Sequence, residues 1–370
     1  MSDLEYRSGS RGRFSRLAAC LGCAALAACY TTDLGAQVVR GQVVDATTGV
    51  SVGTGFVVLL DEDSSEVART LNASDGRFAL NASGAGVYRL RSERIGYRAG
   101  VSPPFELMPD DTLELTLQVE VLPIRLAAVT VTGEDRCLLH PDTTAAMALA
   151  WEEARKALEA AAWTASWGGY WFRTQLYERE LDVARLRLLR NETTEQSGLY
   201  RAPFASVDAE TLAREGYVVR GDSAWVVYAP DVKVLLHPSF LDSHCFRIAL
   251  GEWEGESRIG LAFEPLPDKK SADVAGTLWL SVESSELRRL DLRYSHLPGE
   301  MDDDRIGGTV YFMPTPAGAW IIREWQLRMP IVQRRWVRGV ETMRWETSLE
   351  GFRDSGGEVF EVRSPGGITV

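Results

Sequence analysis

The chain has 370 residues, enough for about two domains. Its 45% hydrophobic and 25% charged residues exclude a disordered chain. The formal charge is −12, with residues 1–29 at +2 and the remainder at −14, which argues against sequence-independent nucleic-acid binding because phosphate contact needs a basic face.

The N-terminus has the composition of an export leader. Arg7, Arg11, Arg13 and Arg16 precede Leu17–Ala28, an apolar run of signal-peptide length and too short to span a bilayer. Residues 1–10 look like an extension ahead of a more usual start. Two cleavage readings fit residues 1–36. Leu26-Ala27-Ala28-Cys29 resembles a bacterial lipobox, with Cys29 becoming the acylated first residue. Leu34-Gly35-Ala36 before Gln37 suits release of a soluble chain. Beyond the leader only Cys137 and Cys245 remain of five cysteines. In an oxidising compartment two thiols suggest one disulfide, whose long loop would constrain the unfolded chain by about 4–5 kcal/mol in the loop-entropy model. Two buried free thiols are the other reading.

Residues 37–122 read as strands and turns. Val38, Val39, Val43 and Val44 flank Gly41 and lead into the turn Asp45–Gly49. Gly53–Leu60 is a second strand. Val67–Asn72 and Arg77–Asn81 bracket Ser74-Asp75-Gly76, a hairpin signal. Val87–Ser92 alternates, and Leu113–Val121 alternates more cleanly, with Leu113, Leu115, Leu117, Val119 and Val121 opposite Glu114, Thr116, Gln118 and Glu120. Short strands at this spacing imply a β-sandwich.

The strings GQVVDATTG from Gly41, TLNASDGRF from Thr70 and GVYRLR followed by IGYRA from Gly86 resemble, in order and spacing, the carboxypeptidase regulatory-like domain. The resemblance implies a transthyretin-like seven-stranded sandwich over about residues 38–122, as found at the N-terminus of TonB-dependent outer-membrane receptors. The continuation LAAVTVTG from Leu126 is similar to the segment that joins this domain to a receptor plug. The residues that follow match neither a plug and barrel nor a metallocarboxypeptidase, since no H-x-x-E pair surrounds any histidine.

Residues 123–142 form a linker, and 143–363 a second domain that opens with a helix. The helix is read at Thr143–Trp163, with Asp142 or Thr143 as N-cap and Glu152/Lys156 as an i,i+4 pair. A short helix follows at Asp208–Glu215, ended by Gly216. The remaining strands have the hairpin rhythm of the lipoprotein-carrier open half-barrel. There a Gly-Thr-Leu-Trp-Leu strand (276–280) precedes a turn where Ser281 or Glu283 stands in for the usual aspartate.

All eleven tryptophans lie between Trp151 and Trp345. They serve either core packing or an apolar ligand trough, with Trp163, Trp167, Tyr170 and Trp171 the members expected of a trough. Arg334, Arg335 and Arg338 around Trp336 make a basic spot, read as a solvated strand face or a contact for anionic headgroups. Glu300, Asp302, Asp303 and Asp304 lack calcium-loop spacing and read as a hairpin tip. His140, His237, His244 and His296 show neither zinc-site spacing nor a nucleophile–base pattern. No catalytic, cofactor or metal residue is therefore assigned.

The expected fold is mainly β: an N-terminal transthyretin-like sandwich, a connecting helix, then a curved antiparallel sheet, open and half-barrel-like. Cys137–Cys245 would tie helix to sheet. The expected function is a non-catalytic binding or scaffold protein, exported to the periplasm or anchored at the outer membrane through Cys29. Its partner would be an envelope protein or lipid, met by the sandwich as an interaction module that lends an edge strand. Alternatives are a carrier holding a lipid or acyl chain in the half-barrel, and a hydrolase with a site assembled from distant residues.

Overall fold

The computed structural model describes residues 37–122 and 138–363, apart from 143, 168, 200, 201, 203, 205, 221–224, 298, 302, 316, 317 and 339–342. Cys29, Cys137 and the leader lie outside the described residues. The first strands are β1 (Gln37–Asp45), β2 (Phe56–Leu60), β3 (Glu66–Leu71), β4 (Arg77–Ala82), β5 (Gly86–Glu93), β6 (Tyr97–Arg98), β7 (Gly100–Val101), β8 (Phe105–Leu107) and β9 (Thr112–Val121). They form two sheets ordered β4-β1-β9-β6 and β3-β2-β5-β7, with β8 added on β5. Val39, Val43, Val57, Leu59, Phe78, Leu80, Leu90, Leu117 and Val119 close the core between them. The alternation of β9 holds where it meets this core, and Val121 emerges into solvent.

Local chemistry sets the turns. Asp45 Oδ1 accepts from the Thr47 and Thr48 amides at 3.0 and 2.7 Å, which holds the 45–49 turn and lowers the carboxyl pKa. Ser74-Asp75-Gly76 does turn the chain, but β3 and β4 do not form a hairpin: β3 pairs with β2 and β4 with β1, in opposite sheets. Buried Asn72 makes this corner by donating to Val52 O at 2.7 Å and accepting from Gly55 N at 2.7 Å. The strand read from Gly53 begins only at Phe56, after Thr54 in the left-handed region.

All five residues of β2 are buried. Val57 and Leu59 face the sandwich interior, whereas Phe56, Val58 and Leu60 belong to the core of the rest of the molecule. This two-sided burial joins the halves, because the outer face of the sandwich is covered.

The second half contains β10 (Leu138–Leu139), α1 (Ala145–Trp167), β11 (Trp171–Asp182), β12 (Leu188–Leu199), α2 (Ala209–Glu215), β13 (Val218–Arg220), β14 (Trp225–Val227), α3 (Val232–Leu235) and α4 (Pro238–Ser243). It continues through β15 (His244–Trp253), β16 (Glu256–Pro265), β17 (Asp273–Ser281), β18 (Leu287–Ser295), β19 (Gly307–Pro314), β20 (Trp320–Arg338) and β21 (Met343–Arg363). Ten of these strands make one antiparallel sheet, β10-β15-β16-β17-β18-β19-β20-β21-β11-β12, whose ends do not pair with one another. The fold is thus mainly β: sandwich, helix and a large unclosed sheet. As the sequence suggests, Gly216 ends α2, with φ 89°; the helix begins at Ala209, one residue after the expected Asp208, which instead caps it, and of Ser281 and Glu283 it is Ser281 that opens the β17–β18 turn by accepting from Ser284 N.

Helix α1 differs from its sequence reading in three respects. It runs four residues past Trp163. Its first turn is capped by Thr144, whose hydroxyl accepts from Met147 N at 3.2 Å. Glu152 pairs with Arg155, and Lys156 pairs instead with Glu153 at 2.8 Å. Ala150, Ala154, Ala157 and Ala161 are buried, and their small side chains let α1 pack close to its neighbours.

Glu153 and Lys156 are both buried and grip the sandwich. Lys156 Nζ donates to Arg94 O at 3.2 Å and Tyr97 O at 2.9 Å, while Glu153 Oε2 accepts from Gly96 N at 2.7 Å. Gly96 takes φ 80°, which a side chain would oppose. Burial raises the Glu153 pKa, with the Lys156 charge and the two hydrogen bonds acting the other way.

Candidate binding surfaces

The aromatic residues expected of a trough form a stacked ladder instead of an open floor. Phe56 meets Trp163 edge-on at 5.4 Å, Trp163 stacks on Trp167 at 5.2 Å, and Tyr170 follows at 5.8 Å, then Phe172 at 6.4 Å. Trp163 is half-buried, Trp167 is 52% exposed, and Tyr170 is buried with its phenol pKa pushed up by that burial. Trp171 is not in the ladder; its ring lies under the Arg363 guanidinium at 4.7 Å.

A cleft of about 250 Å³ opens further along the core-bearing face of the large sheet. Phe172, Leu176, Trp325 and Val359 supply its apolar lining, and Gln196–Leu199 of β12 its polar wall. Glycine is required at 357 because a Cβ there would lie 2.5 Å from the Trp325 ring. None of Trp163, Trp167, Tyr170 or Trp171 lines this cleft.

A cleft of about 350 Å³, lined by Asp291, Arg305, Thr309, Gln326 and Arg328, is polar. Its charges are internally matched: Arg328 bonds Asp354 at 2.7 Å, Gln326 bonds Asp354 at 2.6 Å, and Asp291 accepts from Arg289 and Trp279. Asp303, from the acidic tip, is held low first by its hydrogen bond to Arg305. In the sandwich, β7 and β9 border a third cleft of about 440 Å³.

His237 caps α4 by accepting from Ser239 N at 3.1 Å, and His140 lies 3.8 Å from Asp242. His244, Asp273 and Lys269 form a cluster that the sequence does not reveal, because sheet pairing brings together residues some thirty positions apart. His244 Nε2 lies 3.4 Å from Asp273 Oδ1, and Lys269 bonds the other oxygen. Burial acts to raise the Asp273 pKa, but the hydrogen bonds and charges of His244 and Lys269 outweigh it, so the net shift is downward. Ser243 Oγ is 3.0 Å from His244 Nδ1. Both imidazole nitrogens also face carbonyls, Phe240 O at 2.9 Å and Val274 O at 3.0 Å, and the ring is 1% exposed. The two carbonyls belong to α4 and β17, so the ring bridges these elements.

Cys245 is buried and carries no free thiol. Leu139 pairs with Cys245 and Leu138 with Phe246, so the chain immediately after Cys137 runs beside it.

Strand β12 offers a long unpaired edge: among the described residues it pairs with β11 alone and ends the sheet. All of its residues are exposed except half-buried Gly198. It contains no proline, and its charged residues, Arg190, Glu192 and Glu195, engage side chains of their own sheet. Edge strands of this length are usually shielded, and no described strand pairs with the outer edge of this one.

Comparison with known proteins bears on the first half. Residues 38–120 match the model of the carboxypeptidase regulatory-like domain. No curated protein matches the chain. Among solved structures it is similar to a streptococcal ancillary pilin at 13% identity and a TM-score of 0.20, over 54% of this chain and 60% of that one. It is also similar to BcpA, the major pilin subunit of Bacillus cereus, at 8% identity and a TM-score of 0.21, over 84% of this chain and 95% of that one. The chain spans less than two thirds of the ancillary pilin's length, and similarities at these scores do not define a shared fold. Sandwich topology, core and family match agree over one segment: residues 38–120 are a carboxypeptidase regulatory-like domain, fused here through β2 and α1 to an open ten-stranded sheet.

Proposed function

We propose that the protein is a non-catalytic envelope binding or scaffold protein that takes up an extended partner segment along β12. The observation that carries this reading is the free, solvent-exposed edge of a long strand on a sheet otherwise built into a core. Main-chain hydrogen bonds along such an edge give affinity, and alternate side chains give selectivity. The sandwich then acts as a buttress more than as the docking module, since the outer face of β2 is already occupied. Export to the periplasm or anchoring through Cys29, and a Cys137–Cys245 disulfide, complete the proposal. The buried Cys245 beside β10 supports the disulfide.

The test is photo-crosslinking in the native envelope from a probe at Thr193 or Thr194 of β12, with probes at Thr112 and Leu113 of β9 for comparison. A discrete adduct from β12 alone supports the reading. Adducts from β9 alone would move the docking site to the sandwich.

A carrier is the second reading, favoured by the Phe172–Trp325 cleft. At about 250 Å³ it falls below the roughly 300–1,000 Å³ usual for ligand sites, which places strand addition first. Native mass spectrometry distinguishes the two, because a lipid released only on denaturation would favour the carrier.

A further inference from the structure

The last two strands outrun the sheet that holds them. The β19 ladder ends at Gly307↔Arg328, and the β11 ladder ends at Asp182↔Gly351. Pro330, which has no N–H to donate, and a register shift at Ile331/Val332 mark the same place. From Val332↔Leu349 to Arg338↔Met343, β20 and β21 pair only with each other. This ribbon is roughly 20 Å long at about 3.4 Å per residue.

An isolated two-stranded ribbon is marginal in water. The sequence of this one is also unlike the rest of the chain. Its two strands, residues 332–338 and 343–349, hold four arginines and one glutamate, in a protein of net charge −12. Trp336 stands opposite Trp345 in the register and is 50% exposed. Arg335 next to it is largely exposed as well.

We propose that this ribbon is a contact arm for an anionic lipid surface. Indole rings combine an apolar body with a polar N–H and settle at the boundary between headgroups and acyl chains, while arginines meet lipid phosphates. The ribbon is thin and extended, a shape suited to a flat surface. Its positive charge matches anionic headgroups, whereas the acidic remainder of the chain would be repelled by them.

The experiment uses the full chain carrying Cys29→Ser, so that no acyl group contributes, and compares it with the same chain also carrying R334E, R335E and R338E. Both are sedimented with phosphatidylcholine vesicles with and without phosphatidylglycerol, at low and high salt. The parent should prefer the anionic vesicles and lose that preference in high salt. At about fivefold per arginine lost near an anionic surface, and with three negative charges added, the triple variant should partition at least roughly a hundredfold less. Brominated acyl chains should quench the tryptophan emission of the parent, and less so after Trp336→Phe. Equal urea midpoints for parent and variant show that the fold is intact. The proposal is overturned by equal partition of the two chains, by equal partition on neutral and anionic vesicles, or by no vesicle binding, the last of which would point to an acidic protein surface.

Discussion

Replacing Lys156 by methionine tests how the two halves are held together. The change keeps the side-chain length and removes the ammonium, leaving Glu153 buried without its counter-charge and taking one donor from each of the Arg94 and Tyr97 carbonyls. Breaking one side of a buried pair costs about 3–5 kcal/mol. A second estimate comes from the carboxyl itself. Glu153 can escape an unpaired charge by taking a proton, and from its ordinary value of 4.5 this costs about 3.4 kcal/mol at pH 7, at about 1.36 kcal/mol per pH unit. At pH 5 the same escape costs only about 0.7 kcal/mol. The sign follows: the variant's folded-state pKa lies above the unfolded 4.5, so its penalty is absent below 4.5 and grows as pH rises towards the folded value. Urea unfolding of both proteins at pH 7 and pH 5 reads this directly. The expected result is a loss of about 3–5 kcal/mol at pH 7 that shrinks by more than half at pH 5. A loss under about 1 kcal/mol at pH 7, or an equal loss at both values, would refute the argument that a charged pair clamps α1 to the 94–97 turn.

Two further outcomes follow from the packing. Gly357→Ala puts a Cβ 2.5 Å from the Trp325 ring and 2.9 Å from Leu176, so it should cost about 1–3 kcal/mol in chemical denaturation, whereas Gly255→Ala, with open space around it but φ 75°, reports backbone strain alone. Asp273 has a lowered pKa, so its contribution is complete above its ordinary value of 3.8 and drains away as pH falls through the folded value; Asp273→Asn should lower the urea midpoint at neutral pH and flatten its decline as pH falls below 3.8.

What could be read from the chain depended on whether the information was local. The alternation of Leu113–Val119 and the Gly216 stop are written in neighbouring residues, and the structure follows them. The run at 56–60 is locally just a strand. That both its faces are buried depends on α1, some ninety residues on. The helix itself was legible, but its charge pairing was not. Glu152/Lys156 and Glu153/Lys156 are both acceptable helical spacings, and the choice is made by the carbonyls of a distant turn. β12 escapes pattern reading for another reason. Its sequence, LLRNETTEQSGL, is polar on both faces because both faces meet water, so no alternation marks it. The His244–Asp273–Lys269 cluster is likewise created by pairing between strands. The Trp163–Trp167–Tyr170 group was visible as composition, yet the edge-on contact of Trp163 with Phe56 gives it a joining role in the fold.

The double-sided burial of β2 has a consequence for how the molecule melts. A sandwich tethered by a linker would unfold on its own, giving a calorimetric trace with two steps. Here the withdrawal of Phe56, Val58 and Leu60 strips cover from α1, and the loss of α1 uncovers β2 in return. Each half thus completes the other's core, and heat capacity is expected to rise through a single cooperative peak in which the regulatory-like domain contributes its enthalpy to the whole.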